Sequence, residues 1–183
     1  MKTEKQKMLS GEHYHAGGDE LARERSHAQK LMRAYNKTIV DDAEIRRPIL
    51  DNLLGRAGHS IAIRPPFYVD YGYNIFIGDD VFMNYGCVIL DVCRIDIGAK
   101  TQIGPGVQIY TADHPRAPAE RAAGGEFGRP VSIGSNVWIG GHAIILPGIN
   151  IGDDAIIGAG SVVTRDVPAG QTAIGNPAKT VTF

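Results

Sequence analysis

No run of 18 consecutive apolar residues occurs in the sequence, and no apolar stretch follows the charged start Met1-Lys2-Thr3-Glu4-Lys5-Gln6-Lys7. Neither a membrane-spanning helix nor a secretory signal is therefore expected, and a cytoplasmic protein is the default. Cysteine is almost absent: Cys87 and Cys93 alone cannot build a disulfide framework or a thiolate zinc site. Excess charge of one sign is missing too, with 19 Lys+Arg against 20 Asp+Glu. That balance argues against a nucleic-acid partner or a polybasic membrane reader.

Glycine is what the chain has in excess, 23 of 183 residues, against an average of roughly 7%. Most of it lies beyond Leu54, which divides the chain into an N-terminal helical segment, 1–57, and a Gly-, Ile- and Val-rich part, 58–183. In the first part Leu21, Ala28, Leu31, Met32 and Tyr35 fall near helical spacing, with Asp19 as a candidate cap. A second apolar set, Ile45, Ile49, Leu50, Leu53 and Leu54, follows Asp41-Asp42 and can end at Gly55. Pro48 is expected to kink that helix or to mark its first turn.

The second part repeats itself every six residues. Aliphatic side chains stand at Ile133, Ile139, Ile145, Ile151, Ile157 and Val163. Glycine follows four of them, at Gly134, Gly140, Gly152 and Gly158, and small or β-branched residues lie four positions after each, from Val137 to Val167. The same pattern runs earlier through Ile77, Met83 and Ile89, slips by two residues, and resumes at Ile97 and Ile103. Such a unit makes one short strand and one corner, with the glycine supplying turn dihedrals. Three units close a triangular rung, which places Ile133 on Ile151 and Ile139 on Ile157 at roughly 4.8 Å strand spacing. No rung buries a core alone; the stack does. Cys87 and Cys93 occupy the small inward position and read as core residues rather than nucleophiles.

Between Ile109 and Val131 the repeat breaks, leaving a polar, Pro- and Gly-containing segment, 110–130, that reads as an extruded loop. His114 stands at its root. An imidazole suits removal of a proton from a hydroxyl near neutral pH. The other five histidines, His13, His15, His27, His59 and His142, read as surface residues.

The repeats, together with Tyr110-Thr111-Ala112-Asp113-His114-Pro115, Asn136-Val137-Trp138-Ile139-Gly140-Gly141, the 157–168 stretch, Asp70-Tyr71-Gly72-Tyr73-Asn74-Ile75 and Gly175-Asn176-Pro177-Ala178-Lys179, resemble the hexapeptide-repeat acetyltransferases. The likeness covers nearly the whole chain and is strongest to the maltose O-acetyltransferases, with the galactoside acetyltransferases next. It implies a mainly β protein built on a left-handed parallel β-helix, a homotrimer with active sites between subunits, and acetyl transfer from acetyl-CoA to a sugar hydroxyl such as one of maltose or glucose. No covalent acetyl-enzyme and no metal are implied. Galactosides or an antibiotic hydroxyl are the alternative acceptors. A γ-class carbonic anhydrase uses the same coil but needs three histidines on zinc, whereas only His114 and His142 fall among the repeats. A non-catalytic repeat scaffold is the remaining rival.

Residue by residue, the resemblance makes His114 the general base, Gly141 the backbone N–H donor to the oxyanion, and Asn84 a contact to acceptor or developing charge. Asp70 and Arg25 match acceptor-contacting positions, and Asp91 and Glu126 are candidate orienting carboxylates on the acceptor side. The galactoside enzymes carry an aspartate where Ala16 stands here. For acetyl-CoA, Ala159, Thr164 and Arg165 match contacts to the pantetheine arm, Lys179 a basic residue near the nucleotide phosphate, and Trp138 a wall of the groove. After Lys179 only Thr180-Val181-Thr182-Phe183 remain, without the further basic residues common at this end.

Overall fold

A computed structural model describes residues 1–182. Short strands wind into three parallel sheets that form the sides of a prism. One side stacks Arg56–Ala57, Ile75–Ile77, Ile95–Ile97, Val131–Ile133 and Asn150–Ile151. The next stacks Ala62–Ile63, Phe82–Met83, Gln102–Ile103, Trp138–Ile139, Ile156–Ile157 and Thr172–Gly175, onto which Ala178–Val181 folds back antiparallel. The third stacks Tyr68–Val69, Val88–Leu90, Gln108–Tyr110, Ile144–Ile145 and Val162–Val163.

The six-residue period sets the register. Ile77, Ile97, Ile133 and Ile151 pair in one column, and Met83, Ile103, Ile139 and Ile157 in the second. Ile89, Ile109, Ile145 and Val163 fill the third. All are at most 2% exposed, so each rung contributes three large aliphatic side chains to one continuous core. Cys87 belongs to that core, whereas Cys93 packs under the N-terminal segment with its Sγ 3.3 Å from the Met8 carbonyl. Burial pushes both thiols up to about 11.

The glycines serve a purpose different from the one their spacing suggests. Gly78, Gly98, Gly134 and Gly152 do not have positive φ; that conformation falls two residues later, on Asp80, Lys100, Asn136 and Asp154. What the glycine permits is close approach of rungs, since a Cβ on Gly98 would lie 2.4 Å from the Gly134 carbonyl carbon.

The N-terminal segment begins with helix α1, Glu4–Leu9, which the sequence reading did not anticipate; Thr3 and Gln6 close a capping box at its start. Helix α2, Asp19–Asn36, buries Leu21, Ala28 and Tyr35, and its cap is Gly18, with Asp19 already in the first turn. Helix α3, Ala43–Leu53, buries Leu50 and Leu53, while Ile45, expected on the apolar face, is 56% exposed. Pro48 lies inside α3 rather than in its first turn. No helix among the described residues is long and apolar enough to cross a membrane.

One corner of the prism departs from period six. Passing from the third side to the first takes eight residues at Val69 to Ile77, eight at Ile89 to Ile97, twenty-four at Ile109 to Ile133, and six only at Ile145 to Ile151. Met8, Tyr14 and Leu21 pack there with Tyr71, Val92 and Cys93. The long insertion is itself folded. Strand β1, Tyr14–His15, pairs with β3, Gly125–Gly128, which pairs with β2, Ala112–Asp113, and a short helix, Pro118–Ala122, joins β2 to β3.

Two alanine substitutions separate rung spacing from backbone strain. Gly98→Ala meets backbone atoms and should destabilise by roughly 3 kcal/mol or more. Gly170→Ala, at φ +68° with nothing among the described residues within 4 Å of the added Cβ, should cost about 1 kcal/mol. Thermal unfolding of the two variants checks the order, and equal losses would refute the spacing argument.

Candidate active site

His114 follows strand β2 directly, at the corner with the large insertion. Its imidazole is exposed, with Nδ1 3.3 Å from the Gly125 carbonyl oxygen of β3. A carbonyl only accepts, so in the neutral ring this contact places the proton on Nδ1 and directs the lone pair to Nε2. The preceding Asp113 fixes the turn: Oδ1 accepts the His114 backbone N–H at 2.8 Å, and the carboxylate also takes Arg116 at 2.7 Å and Arg129 at 3.3 Å.

Carboxylates gather on the same corner. Asp91 is fully buried, its Oδ1 accepting the N–H groups of Asp70 and Tyr71 at 3.1 and 2.9 Å and its Oδ2 that of Asn74 at 3.3 Å. It organises the chain turn through 70–74 and has no surface to offer a ligand, which corrects the expectation of acceptor contact. Burial lifts it to about 7, with the backbone N–H groups opposing. Asp70 and Glu126 are half-buried, and Glu126 stands opposite Tyr14 across the small sheet. Burial first, then the Glu126 charge, raises Asp70 to about 6, with Arg25 opposing. Arg25 donates to the Tyr71 hydroxyl at 2.7 Å and to the Ala16 carbonyl at 2.8 Å.

A groove of about 400 Å³ runs along another edge of the prism, lined by Phe82, Asn84, Pro105, Trp138, Gly141 and Ala159 among others. Trp138 is 58% exposed, between Gln102 and Ile156 on neighbouring rungs. Asn84 Oδ1 accepts the Tyr85 N–H at 2.9 Å, which leaves its Nδ2 donors without an acceptor among the described residues. The Gly141 N–H likewise has no acceptor there, although its carbonyl takes Gly160 N–H at 2.9 Å. One rung back the equivalent N–H is absent, at Pro105, and two back, at Tyr85, it is taken by Asn84. Gly141 thus presents an unused backbone donor on the groove.

Thr164, Arg165 and Lys179 are exposed towards the C-terminal end of the coil, Lys179 opposite Ile174 in the closing hairpin. The structure therefore brings together His114, Asp70, Arg25, Asp91 and Glu126 at one corner, and Asn84, Gly141, Trp138 and Ala159 in the groove. Tyr14 and Tyr71, which complete the His114 corner, were not singled out from the sequence. The two-residue slip after Ile89 was the available signal, because it marks the rung where Asp91 and Val92 are inserted. Among the described residues no cluster of three or more His, Cys, Asp or Glu is placed to hold a metal ion.

The raised Asp70 and Asp91 carboxyls set a pH dependence of stability. A carboxyl that binds its proton more tightly in the folded chain than in the unfolded one stabilises the fold when protonated, and this contribution disappears as pH rises through the folded value. The urea midpoint should therefore fall between about pH 4 and pH 7, and Asp70→Asn should flatten the decline below about pH 6. A midpoint that rises steadily across this window would contradict the assigned burial.

Two family models match: a maltose acetyltransferase hexapeptide capping motif over residues 7–58, and a hexapeptide repeat of succinyl-transferase over 130–165. The chain is 54% identical over 178 residues to nodulation protein L of Rhizobium meliloti (strain 1021), covering 97% of each. A maltose O-acetyltransferase from Clostridium difficile 630 superposes with a TM-score of 0.97 at 50% identity, covering 98% of this chain and 96% of that one. A hexapeptide-repeat acetyltransferase of Vibrio cholerae, solved with acetyl-CoA, gives 0.91 at 38% identity over 99% and 98%. With its prism of six-residue repeats, its capping helices and these likenesses, the chain belongs to the hexapeptide-repeat acetyltransferases.

Proposed function

We propose that the chain transfers the acetyl group of acetyl-CoA directly to a hydroxyl of a sugar such as maltose or glucose. The carrying observations are an exposed imidazole, oriented by the Gly125 carbonyl, and, at another corner, an unused Gly141 N–H on an apolar groove. The vibrio relative's acetyl-CoA complex supports the donor. Its pantetheine arm is assigned to the groove, against Trp138, Gly141 and Ala159, continuing past Thr164 and Arg165 to Lys179. Asp70, Arg25 and Glu126 are assigned to the acceptor.

In the reaction His114 Nε2 takes the hydroxyl proton as the oxygen attacks the thioester carbonyl. The oxyanion that forms is met by the Gly141 N–H, with Asn84 Nδ2 as a second donor. Collapse breaks the C–S bond, and the CoA sulfur takes the proton back from His114. The acetyl group ends on the sugar oxygen, with no acetyl-enzyme between.

The base and the groove lie at different corners of the prism. His114 follows the third side, between Ile109 and Val131, whereas Gly141 lies between the second and third sides, between Ile139 and Ile144. A neighbouring subunit supplies the missing half in this reading, with the 110–130 insertion of one chain reaching the groove of the next. Exposed apolar side chains on the outer faces, Tyr68, Tyr85, Trp138 and Ile156, support such packing. Galactosides and antibiotic hydroxyls remain the second reading, and a screen of acceptors that follows CoA release separates them from maltose and glucose.

His114→Ala should lower kcat by roughly 10² to 10⁴-fold while nearly preserving the KM for acetyl-CoA. Activity within threefold of the wild type would overturn the base assignment. Light scattering should report a trimer, near three times 19.7 kDa. A fully active monomer would refute the shared site.

A further inference from the structure

We propose that Arg116, paired with Asp113, is a positioning residue that aims the His114 imidazole. This rests on the reading of His114 as the base and goes beyond it to the groups that hold the base in place.

The contact that orients the ring is weak by itself. Nδ1 lies 3.3 Å from the Gly125 carbonyl oxygen, beyond the usual hydrogen-bond optimum of about 2.9 to 3.0 Å. One long hydrogen bond on an exposed side chain does little to fix the direction of the ring, so its aim depends on how firmly the His114 backbone is held. Strand pairing supplies none of that hold. The ladder between β2 and β3 ends with Asp113 opposite Phe127, and the helix that follows starts only at Pro118. Pro115, next in the chain, has no N–H to give.

Side chains replace the missing ladder. The Asp113 carboxylate takes the His114 N–H at 2.8 Å. Arg116 meets the same carboxylate through both Nη atoms, at 2.7 and 3.0 Å, and its Nη1 also donates to the His114 carbonyl at 2.9 Å. Both backbone polar groups of the base are thus bound by the two members of one ion pair. The planar guanidinium fork suits this double contact. Arg121 extends the arrangement, donating to the carbonyls of Pro115 at 3.0 Å and Arg116 at 3.2 Å. Arg129, at the far end of the insertion, reaches Asp113 at 3.3 Å and ties the exit of the loop to its entry. The carbonyls of three successive residues, His114, Pro115 and Arg116, are therefore held by arginine side chains. Pro115 itself is buried against β3, where a Cβ on Gly125 would lie 3.4 Å from its Cγ.

Stability and turnover should respond differently to the loss of this clamp. The Arg116 side chain is 78% exposed, and an ion pair so open to solvent contributes little to folding. Catalysis is more sensitive, because displacing a reacting group by about 1 Å can cost about a hundredfold in rate.

The test follows CoA release by the full-length protein with acetyl-CoA and maltose, with glucose and galactosides in parallel. Arg116→Ala should lower kcat by about tenfold to a hundredfold. Its KM for acetyl-CoA should stay within about twofold and its Tm within about 3 °C of the wild type. Asp113→Ala, which removes the acceptor of the His114 N–H as well, should lose at least as much. As a control, Arg47→Ala removes a guanidinium that holds the Ala57 and Gly58 carbonyls and pairs with Asp51, and should keep kcat. The deciding measurement is the cycle with His114→Ala. Once the base is gone there is nothing to aim, so Arg116→Ala should lower the residual rate by less than about twofold in that background. The proposal is overturned, with acetyl transfer and the base left intact, by the same loss in both backgrounds, by an equal loss in Arg47→Ala, by a raised KM for acetyl-CoA at unchanged kcat, or by a kcat for Arg116→Ala within about twofold of the wild type. Wild-type turnover in His114→Ala would instead remove the base assignment, and failure of every sugar to release CoA the acetyl-transfer reading; this proposal would fall with either.

Discussion

Backbone contact between successive rungs is the constraint on which the rest of this structure depends. Parallel strands of two or three residues have little pairing energy of their own, so the coil holds only if every rung stacks in register with the next. That stacking brings Gly98 against Gly134, and Gly134 against Gly152, so closely that a Cβ has no room. The glycines set the rung spacing, and the spacing allows one aliphatic side chain per side to touch its counterparts above and below. Corner geometry is secondary. Asp80, Lys100, Asn136 and Asp154 carry the left-handed conformation, at a strain cost of about 1 kcal/mol each that the stack outweighs.

A coil this regular leaves one place for irregularity: a corner, where extra residues can leave the prism without disturbing the columns. Three successive rungs use the same corner, with two, two and eighteen residues beyond the basic six. The inserted residues create what a bare prism lacks, a polar interior. Asp91 sits in one insertion and takes the backbone N–H groups of another, so the short insertions brace each other. The N-terminal segment then closes over them, with Tyr14–His15 adding a strand to the long insertion. His114 thus rests on a small sheet whose strands come from two distant parts of the chain.

These features explain what could be read from the sequence. The columns were legible because period six is a strong, repeated signal, and Ile133 does face Ile151 as Ile139 faces Ile157. The meaning of the glycines was not, because spacing alone cannot distinguish a residue that turns the chain from one that lets another chain segment approach. Helix α1 was hidden by its brevity and by polar composition; only Thr3 and Gln6 announce it. The folding of 110–130 was illegible for a deeper reason. Its strands pair with Tyr14 and His15, about a hundred residues away, and nothing local to the insertion encodes that partner. Tyr14 has no chemical motif around it, so its place opposite Glu126 emerges only from the register.

The separation of base and groove between two corners has a chemical consequence in the proposed mechanism. In that mechanism an imidazole oriented by Gly125 in one chain meets an N–H donor at Gly141 in another only when subunits pack. The donor side is built from the rigid coil, where rung spacing fixes the Gly141 N–H to within the tolerance of the stack. The side assigned to the acceptor in that mechanism is built from the inserted, capped corner, outside the inward-facing columns. Replacing Asp70 or Glu126 changes no inward-facing residue of the prism. In the proposed mechanism the repeat fixes where the acetyl group sits, and the inserted corner carries both the base and the groups assigned to the acceptor.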